Sequence, residues 1–351
     1  MRVVVLGGTG YLGSRVVRAL SAVPGLEVVA ASRRGPVPVD VTRPETYGVL
    51  ERSQLVVDLT DATSTPPDGV IHWCLERGLT VIEATSDAPC VERLHRDFAA
   101  KGLPGRLVLG GGIFTGVSNL LGRAVATRCG AKRLTLGISS SPFSGAGGGT
   151  IELMVRALGV PAVRYVHGAR LEVKDLERGP KVDFGGIARP TVRISLAEPF
   201  MLATSTGAAD VDVYFAPRPA FLVPAFAMLP GWVVRAGWYQ AFMKGYFLVL
   251  RKWLLGGRAS AVELVARGAG AKGEAGQVVT TRDGMLGGAY ALAAMVEEVA
   301  RAAAWSGVRF IDDVTELEPI IARANALAGE ALLRSVSLSP IGGEARGEGK
   351  S

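Results

Sequence analysis

The sequence predicts an α/β chain: a doubly wound parallel sheet, then a second, α+β domain built on a mostly antiparallel sheet. Three observations carry this. The first twenty residues, MRVVVLGGTGYLGSRVVRAL, read as strand, glycine turn and helix. Short apolar runs then alternate with helical periods to about residue 122, the pattern of stacked β/α units. Beyond that point, alternating or β-rich runs suit antiparallel pairing.

Val3 to Leu6 is a short, mainly β-branched apolar run, as a buried parallel strand requires. Gly7 to Gly13 follow at once, and Val16, Val17 and Leu20 return at helical spacing. In that context the glycines read as a Rossmann dinucleotide fingerprint. Gly8 is expected to make the tight turn, Gly10 to let the backbone approach a pyrophosphate, and Gly13 to let helix and strand pack closely. The helix N-terminus offers N–H groups and partial positive charge to phosphates. Gly8, Thr9, Gly10, Tyr11, Leu12 and Gly13 are therefore cofactor-binding candidates.

Leu26 to Ala31 is the second strand. NAD-binding sheets place a carboxylate at its end, on the ribose 2′-hydroxyl. Here the residues are Ser32, Arg33 and Arg34. A hydroxyl and two guanidiniums suit a 2′-phosphate, so the cofactor expected is NADP rather than NAD. Val37 to Val41 is a third strand, with Asp40 placed to meet the adenine amino group. Leu55 to Leu59 is the fourth, and Thr60, Asp61 and Ala62 sit at its C-terminal, ligand-binding end. Asp68 is expected to cap a helix through Arg77, which Gly78 stops. Leu79 to Ile82 is the fifth strand, and Glu83 to Asp87 closes it with a polar lip. A helix over about Val91 to Ala100 and a strand over Arg106 to Leu109 complete six β/α units.

The segment GGGIFTGVSNLL follows, with Ser118 or Asn119 expected to cap a helix that begins at Leu120. Strands are expected over Arg133 to Ile138, Ala169 to Val173, Thr191 to Leu196 and Val211 to Phe215, with Val262 to Ala266 and Gln277 to Thr281 as a further pair. Gly145 to Thr150 (GAGGGT) reads in two ways: an anion-holding loop for a substrate carboxylate or phosphate, or a flexible lead into a helix over Ile151 to Leu158. Asp87, Ser118, Asn119 and Thr150 are the substrate-facing candidates. No residue is assigned as catalytic acid or base, and no Tyr-x-x-x-Lys pair lies in a suitable helix of the first half.

Val213 to Val262 contains no Asp or Glu. It holds Arg218, Arg235, Lys244, Arg251, Lys252 and Arg258, and three of the five tryptophans: Trp232, Trp238 and Trp253. Pro224, Pro230, Gly231 and Gly237 exclude one spanning helix. Two readings stand: a basic, aromatic segment that leans on an anionic membrane or accepts an acyl substrate, and a buried helical insertion or homodimer contact. The residues after about Ser335 are polar and glycine-rich, and residues 336–351 are expected to be a disordered tail.

With 351 residues, 48% of them hydrophobic, the chain can fill two domains. The net charge of +7 favours anionic partners, which a phosphorylated cofactor satisfies, and no nucleic-acid motif is present. Cys74, Cys90 and Cys129 form neither a disulfide framework nor a metal pattern, and no HExxH or paired-His spacing occurs. With no signal-peptide pattern and no run of 18 apolar residues, a cytoplasmic or membrane-peripheral location is expected.

GGTGYLG, the six β/α units and GGGIFTGVSNLL resemble the saccharopine dehydrogenase-like (saccharopine reductase-type) oxidoreductases. That family carries a Pro-Gly-hydrophobic-Ser/Asp-Asn/His element at this join. Gly116, Ser118 and Asn119 match it, while Thr115 stands in place of the proline. SPFSGAGGGTIELMVR resembles the family's Ser-Gly-Gly-Thr turn, and TTRDGMLGGAYALAAMVEEVARAAAWSGV its closing helix and Gly-Val exit. The resemblance runs from Met1 to about Asn325 and departs most over residues 160–260. It implies an NADP-binding domain over 1–122, to which the chain returns at 283–335, and a substrate domain over 123–282. The activity it implies is hydride transfer to or from a carbonyl, imine or enoyl substrate. The alternative is an NADP(H)-binding regulatory or membrane-peripheral protein without turnover.

Overall fold

Every strand of the first sheet runs the same way. The computed structural model describes residues 1–141, 160–220, 233, 236–250 and 260–339. The elements of the first half are β1 (Arg2–Leu6), α1 (Gly13–Ser21), β2 (Glu27–Ser32), β3 (Val37–Pro38), β4 (Leu55–Asp58), α2 (Asp68–Glu76), β5 (Thr80–Glu83), α3 (Ala88–Ala99) and β6 (Arg106–Leu109). They assemble in the order β6-β5-β4-β1-β2-β3, all parallel. That is the doubly wound order, with its reversal between β1 and β4. The central strands are buried on both faces, so they read as continuous apolar runs.

The next stretch of chain holds α4 (Ser118–Cys129), β7 (Ala131–Ser140), β8 (Ala162–Val166), β9 (Ala169–Val173), β10 (Val182–Asp183), β11 (Ala188–Arg189), α5 (Glu198–Thr206), β12 (Asp210–Pro217), α6 (Gly237–Leu250), β13 (Val262–Gly270) and β14 (Gly273–Thr281). β10 and β11 pair with each other as a separate antiparallel ribbon, and the other strands enter the second large sheet. After them come α7 (Gly284–Arg301), β15 (Gly307–Phe310), α8 (Leu317–Ala328) and β16 (Leu333–Leu338). The sheet order is β16-β14-β13-β7-β12-β8-β9. All its pairs are antiparallel except β7 with β12. One core cluster joins the two sheets: Val3, Val57 and Val108 of the first, α4 and α7 between, and Leu134, Leu136 and Leu264 of the second. A second cluster fills the other face of the parallel sheet, around Val4, Val56, Ile71, Leu94 and Phe310.

Several elements differ from the sequence reading, each for a local reason. β3 stops at Pro38, because the chain turns where the Asp40 carboxylate accepts the Thr42 N–H and hydroxyl. Asp68 does not cap α2. Pro67 holds that position, and the Asp68 carboxylate pairs with Arg93 of α3. α3 starts three residues early because Asp87 caps it, accepting the Cys90 N–H at 3.0 Å. Thr191 to Leu196 makes no strand but two isolated bridges at Val192, one to Phe215 and one to Arg178. The Arg193 side chain there turns inward to Glu177, Asp212 and the Tyr214 hydroxyl.

β15, too short and mixed to stand out, adds a seventh parallel strand beside β6. Residues 336–338, expected as the start of a tail, complete β16, whose N–H and C=O groups pair with β14. Residues 340–351, the GAGGGT segment with Thr150, and the expected helix at Ile151 to Leu158 lie outside the described residues.

Candidate cofactor and substrate site

The loops after β1, β2, β4, β5 and β6 all leave from one edge of the parallel sheet. Gly7, not Gly8, supplies the left-handed residue of the tight turn, with φ +71°. Gly8 instead packs on β2. A Cβ there would lie 2.8 Å from the Val5 oxygen and 2.9 Å from Ala30 Cα, and its N–H reaches the Ala31 carbonyl at 3.0 Å. A Cβ on Gly13 would fall 2.1 Å from the Gly7 oxygen, so α1 can start here only without a side chain. A Cβ on Gly10 would meet only the Gly7 oxygen within 4 Å, at 3.0 Å, leaving that side of the turn open. Leu12 gives α1 no side-chain cap, and its first turn holds no acid. An uncapped helix start with no negative charge suits an anion.

Arg15 went unnoticed in the sequence. Its guanidinium lies 3.9 Å from the centre of the Tyr11 ring and donates to the Tyr11 carbonyl at 2.6 Å. The available signal was a cation in the first helical turn, where acids are usual.

Besides the Gly8 N–H bond to Ala31, the turn meets the end of β2 through Thr9 Oγ1, which donates to Ser32 Oγ at 2.8 Å. A Cβ on Gly35 would fall 2.4 Å from Ser32 Oγ, so the loop closes tightly round this serine. Arg33 and Arg34 are exposed beside it. The Thr42 side-chain and backbone bonds hold the Asp40 carboxyl below the usual range, helped by the charges of Arg33 and Arg43.

After β4, Asp61 is folded on itself. It accepts Thr63 N at 3.1 Å, Thr63 Oγ1 at 2.5 Å and Ser64 Oγ at 2.7 Å. Burial pushes its pKa up, but these bonds outweigh burial and hold it below the ordinary value. Thr60 donates its N–H to Asp58 at 2.8 Å, and Ala62 is buried. Asp87, a substrate candidate, is engaged in capping α3.

Beneath this lip lie two carboxyls: Asp58, to which the sequence reading gives no role, and Glu83, which it places in the polar lip and the structure buries. Asp58 and Glu83 are register partners on β4 and β5, each 1% exposed. Asp58 Oδ2 and Glu83 Oε2 have no hydrogen-bond partner among the described residues. Burial raises the pKa of both, and the neighbouring Asp58 charge pushes Glu83 further. The alternation of LVVD and TVIE already places each on the inward face beside Val56 and Val81.

After β6, Gly110 (φ +105°) and Gly112 (φ +94°) lead into an irregular turn over Ile113–Val117. Thr115 has φ +59° and donates its N–H to Glu198 Oε1 at 3.1 Å, from the start of α5. Ser118 Oγ donates to the same oxygen at 2.9 Å, so Ser118 does not cap α4. Asn119 does not cap it either. It is 0% exposed, with neither amide atom partnered among the described residues. Ser118 is equally buried, so neither side chain is open to solvent at this lip. Burial raises the Glu198 pKa against the Thr115 and Ser118 bonds. A proline at 115 could adopt neither that φ nor that bond, so the departure from the resembled element is built into the turn. Glu198 itself comes from the second half of the chain, and only its Glu-Pro helix start marks it.

Among the described residues no cluster of three or more His, Cys, Asp or Glu side chains could hold a metal. The three cysteines are free and buried, and among the described residues no helix is long and apolar enough to cross a membrane.

No protein-family model and no curated protein sequence matches the chain. Solved structures do resemble it. A C. glutamicum DAP dehydrogenase in complex with DAP has 13% identity and a TM-score of 0.48, over 92% of this chain and 98% of that one. An engineered D-amino acid dehydrogenase bound to NADP+ gives 13% and 0.48, over 92% and 99%. An aspartate dehydrogenase from Thermotoga maritima gives 13% and 0.40, over 87% and 99%. The fold assignment stands on the chain's own strand order, and what those proteins bind is theirs.

Proposed function

We propose that the chain is an NADP-dependent oxidoreductase of the saccharopine dehydrogenase-like type, acting on a carbonyl, imine or enoyl compound. The observation that carries this is the junction of the glycine turn with the end of β2. Thr9 holds Ser32 there, Arg33 and Arg34 follow, and no carboxylate stands at that strand end.

The residues fit a phosphorylated dinucleotide. The open side of Gly10 and the uncapped start of α1 take a pyrophosphate. Ser32, Arg33 and Arg34 take a 2′-phosphate, as a bidentate guanidinium does well. The bound nicotinamide supplies the hydride chemistry. The chain's own part is to position and to exclude water. Thr60 and Ala62 edge the cleft, and the Ile113–Val117 turn, pinned by Glu198, shapes its far end. The test is oxidation of NADPH against a panel of imines, ketones and enoyl compounds. Steady turnover with one class is expected, and binding of NADPH without turnover of any would leave a nucleotide-binding protein instead.

A further inference from the structure

Helix α6 carries an apolar face turned to water. Trp238 is 65% exposed, Phe242 61%, Tyr246 46% and Val249 56%. At about 100° per residue these four fall within an arc of roughly 80°. Ala241 and Gly245, also exposed, widen the arc without adding charge. Met243 is buried and Tyr239 packs against the main core, so the flank beside the stripe is the one that anchors the helix. The aromatic rings brace one another: Trp238 meets Tyr239 edge-on at 5.8 Å, and Phe242 stacks on Tyr246 at 6.2 Å. A rigid row of large apolar side chains in water marks a contact surface.

The sequence around it says what kind. Lys244 belongs to this helix, Arg235, Arg251, Lys252 and Arg258 flank it in sequence, and no acid lies between residues 235 and 258. Arg218, farther off, is already paired with Glu263. A second copy would bring the same basic, acid-free segment to the contact and offer these cations no counter-charge. Acidic lipid headgroups neutralise them, and Trp and Tyr settle at the headgroup level, where one end of the ring is apolar and the other wet. The helix is not long and apolar enough to span, so its place is in the interface plane.

We propose that α6 is an interfacial helix that seats Trp238, Phe242, Tyr246 and Val249 in an anionic lipid surface. The inference rests on the surface of α6 and is independent of the cofactor reading. The experiment is flotation of the full chain with vesicles of phosphatidylcholine alone, and of phosphatidylcholine with about 30% phosphatidylserine. Flotation with the anionic vesicles only, falling as salt rises, is expected. W238S/F242S should keep the wild-type melting temperature and lose roughly tenfold or more in vesicle affinity, having given up two buried rings. If that variant unfolds, V249D, a single change at an exposed position, is read in its place. No flotation of wild type with anionic vesicles overturns the proposal, as does equal flotation of a folded variant. A wild-type dimer that W238S/F242S dissociates, with no flotation of either, assigns the face to a second copy and overturns it too.

Discussion

Gly13 shows what the glycine motif does at the scale of one residue. The atom a Cβ would strike is a backbone oxygen, at 2.1 Å, which cannot swing aside. Gly13→Ala should therefore push α1 off the turn and cost about 2–3 kcal/mol, read as a lower urea midpoint, with NADPH affinity falling in parallel. An unchanged midpoint would mean that the turn is looser than described. The residue types at this site were legible in the sequence because glycine, serine and arginine each answer a stated need of a phosphate. The assignment of the left-handed position to Gly7 was not, since the fingerprint spacing is met by Gly8, Gly10 and Gly13 and leaves Gly7 outside it. Nor was the fold of Arg15 over Tyr11, which depends on a side-chain path that spacing does not fix.

At the scale of elements, the Ile113–Val117 turn is held by one buried carboxyl from another part of the chain. Glu198→Ala strands the Thr115 N–H and the Ser118 hydroxyl and leaves a cavity. It should cost about 2–4 kcal/mol by denaturant titration. Glu198→Gln keeps an acceptor oxygen, and burial already pushes the native group toward its neutral form, so the cost should be under about 1.5 kcal/mol. A glutamine as damaging as alanine would show that the charge, rather than the acceptor, holds the turn. Elements with a strong local signal were legible: Arg106–Leu109 and Ala169–Val173 appear with the expected bounds. Those defined by distant partners were not. GVRF becomes β15 only because β6 offers an edge, and Leu333–Leu338 becomes β16 only because β14 does. Thr191 to Leu196 has the pattern of a strand, but its backbone pairs at separate points, Val192 with Phe215 on one side and Thr191 and Arg193 with the 176–179 loop on the other, and no continuous ladder forms.

For the whole molecule, the buried pair Asp58 and Glu83 makes stability depend on pH. Their folded-state pKa values are raised, so the native chain keeps protons that the unfolded chain releases above about pH 4. Their contribution is full at low pH and is lost as pH rises through the folded values. Glu83→Gln should flatten that fall and raise the melting temperature at neutral pH, where wild type has to bury a charge or hold a proton. A variant that melts lower at neutral pH than wild type would contradict this, showing that the Glu83 carboxyl stabilises the native chain more than its burial costs.

Across the molecule, the parallel sheet and the second sheet share one core through α4 and α7, and Glu198 from the second half pins the turn that follows β6. The central claim is that the ends of β1 and β2 are made for a 2′-phosphorylated dinucleotide. Titration calorimetry of wild type and of R33A/R34A with NADPH and with NADH tests it most directly. The account predicts that wild type prefers NADPH, and that the double variant loses this preference while its NADH affinity stays within about twofold, since each guanidinium contact to the 2′-phosphate is a charge-assisted bond that NADH lacks. Equal affinity of wild type for both, or equal losses in the variant, would contradict it.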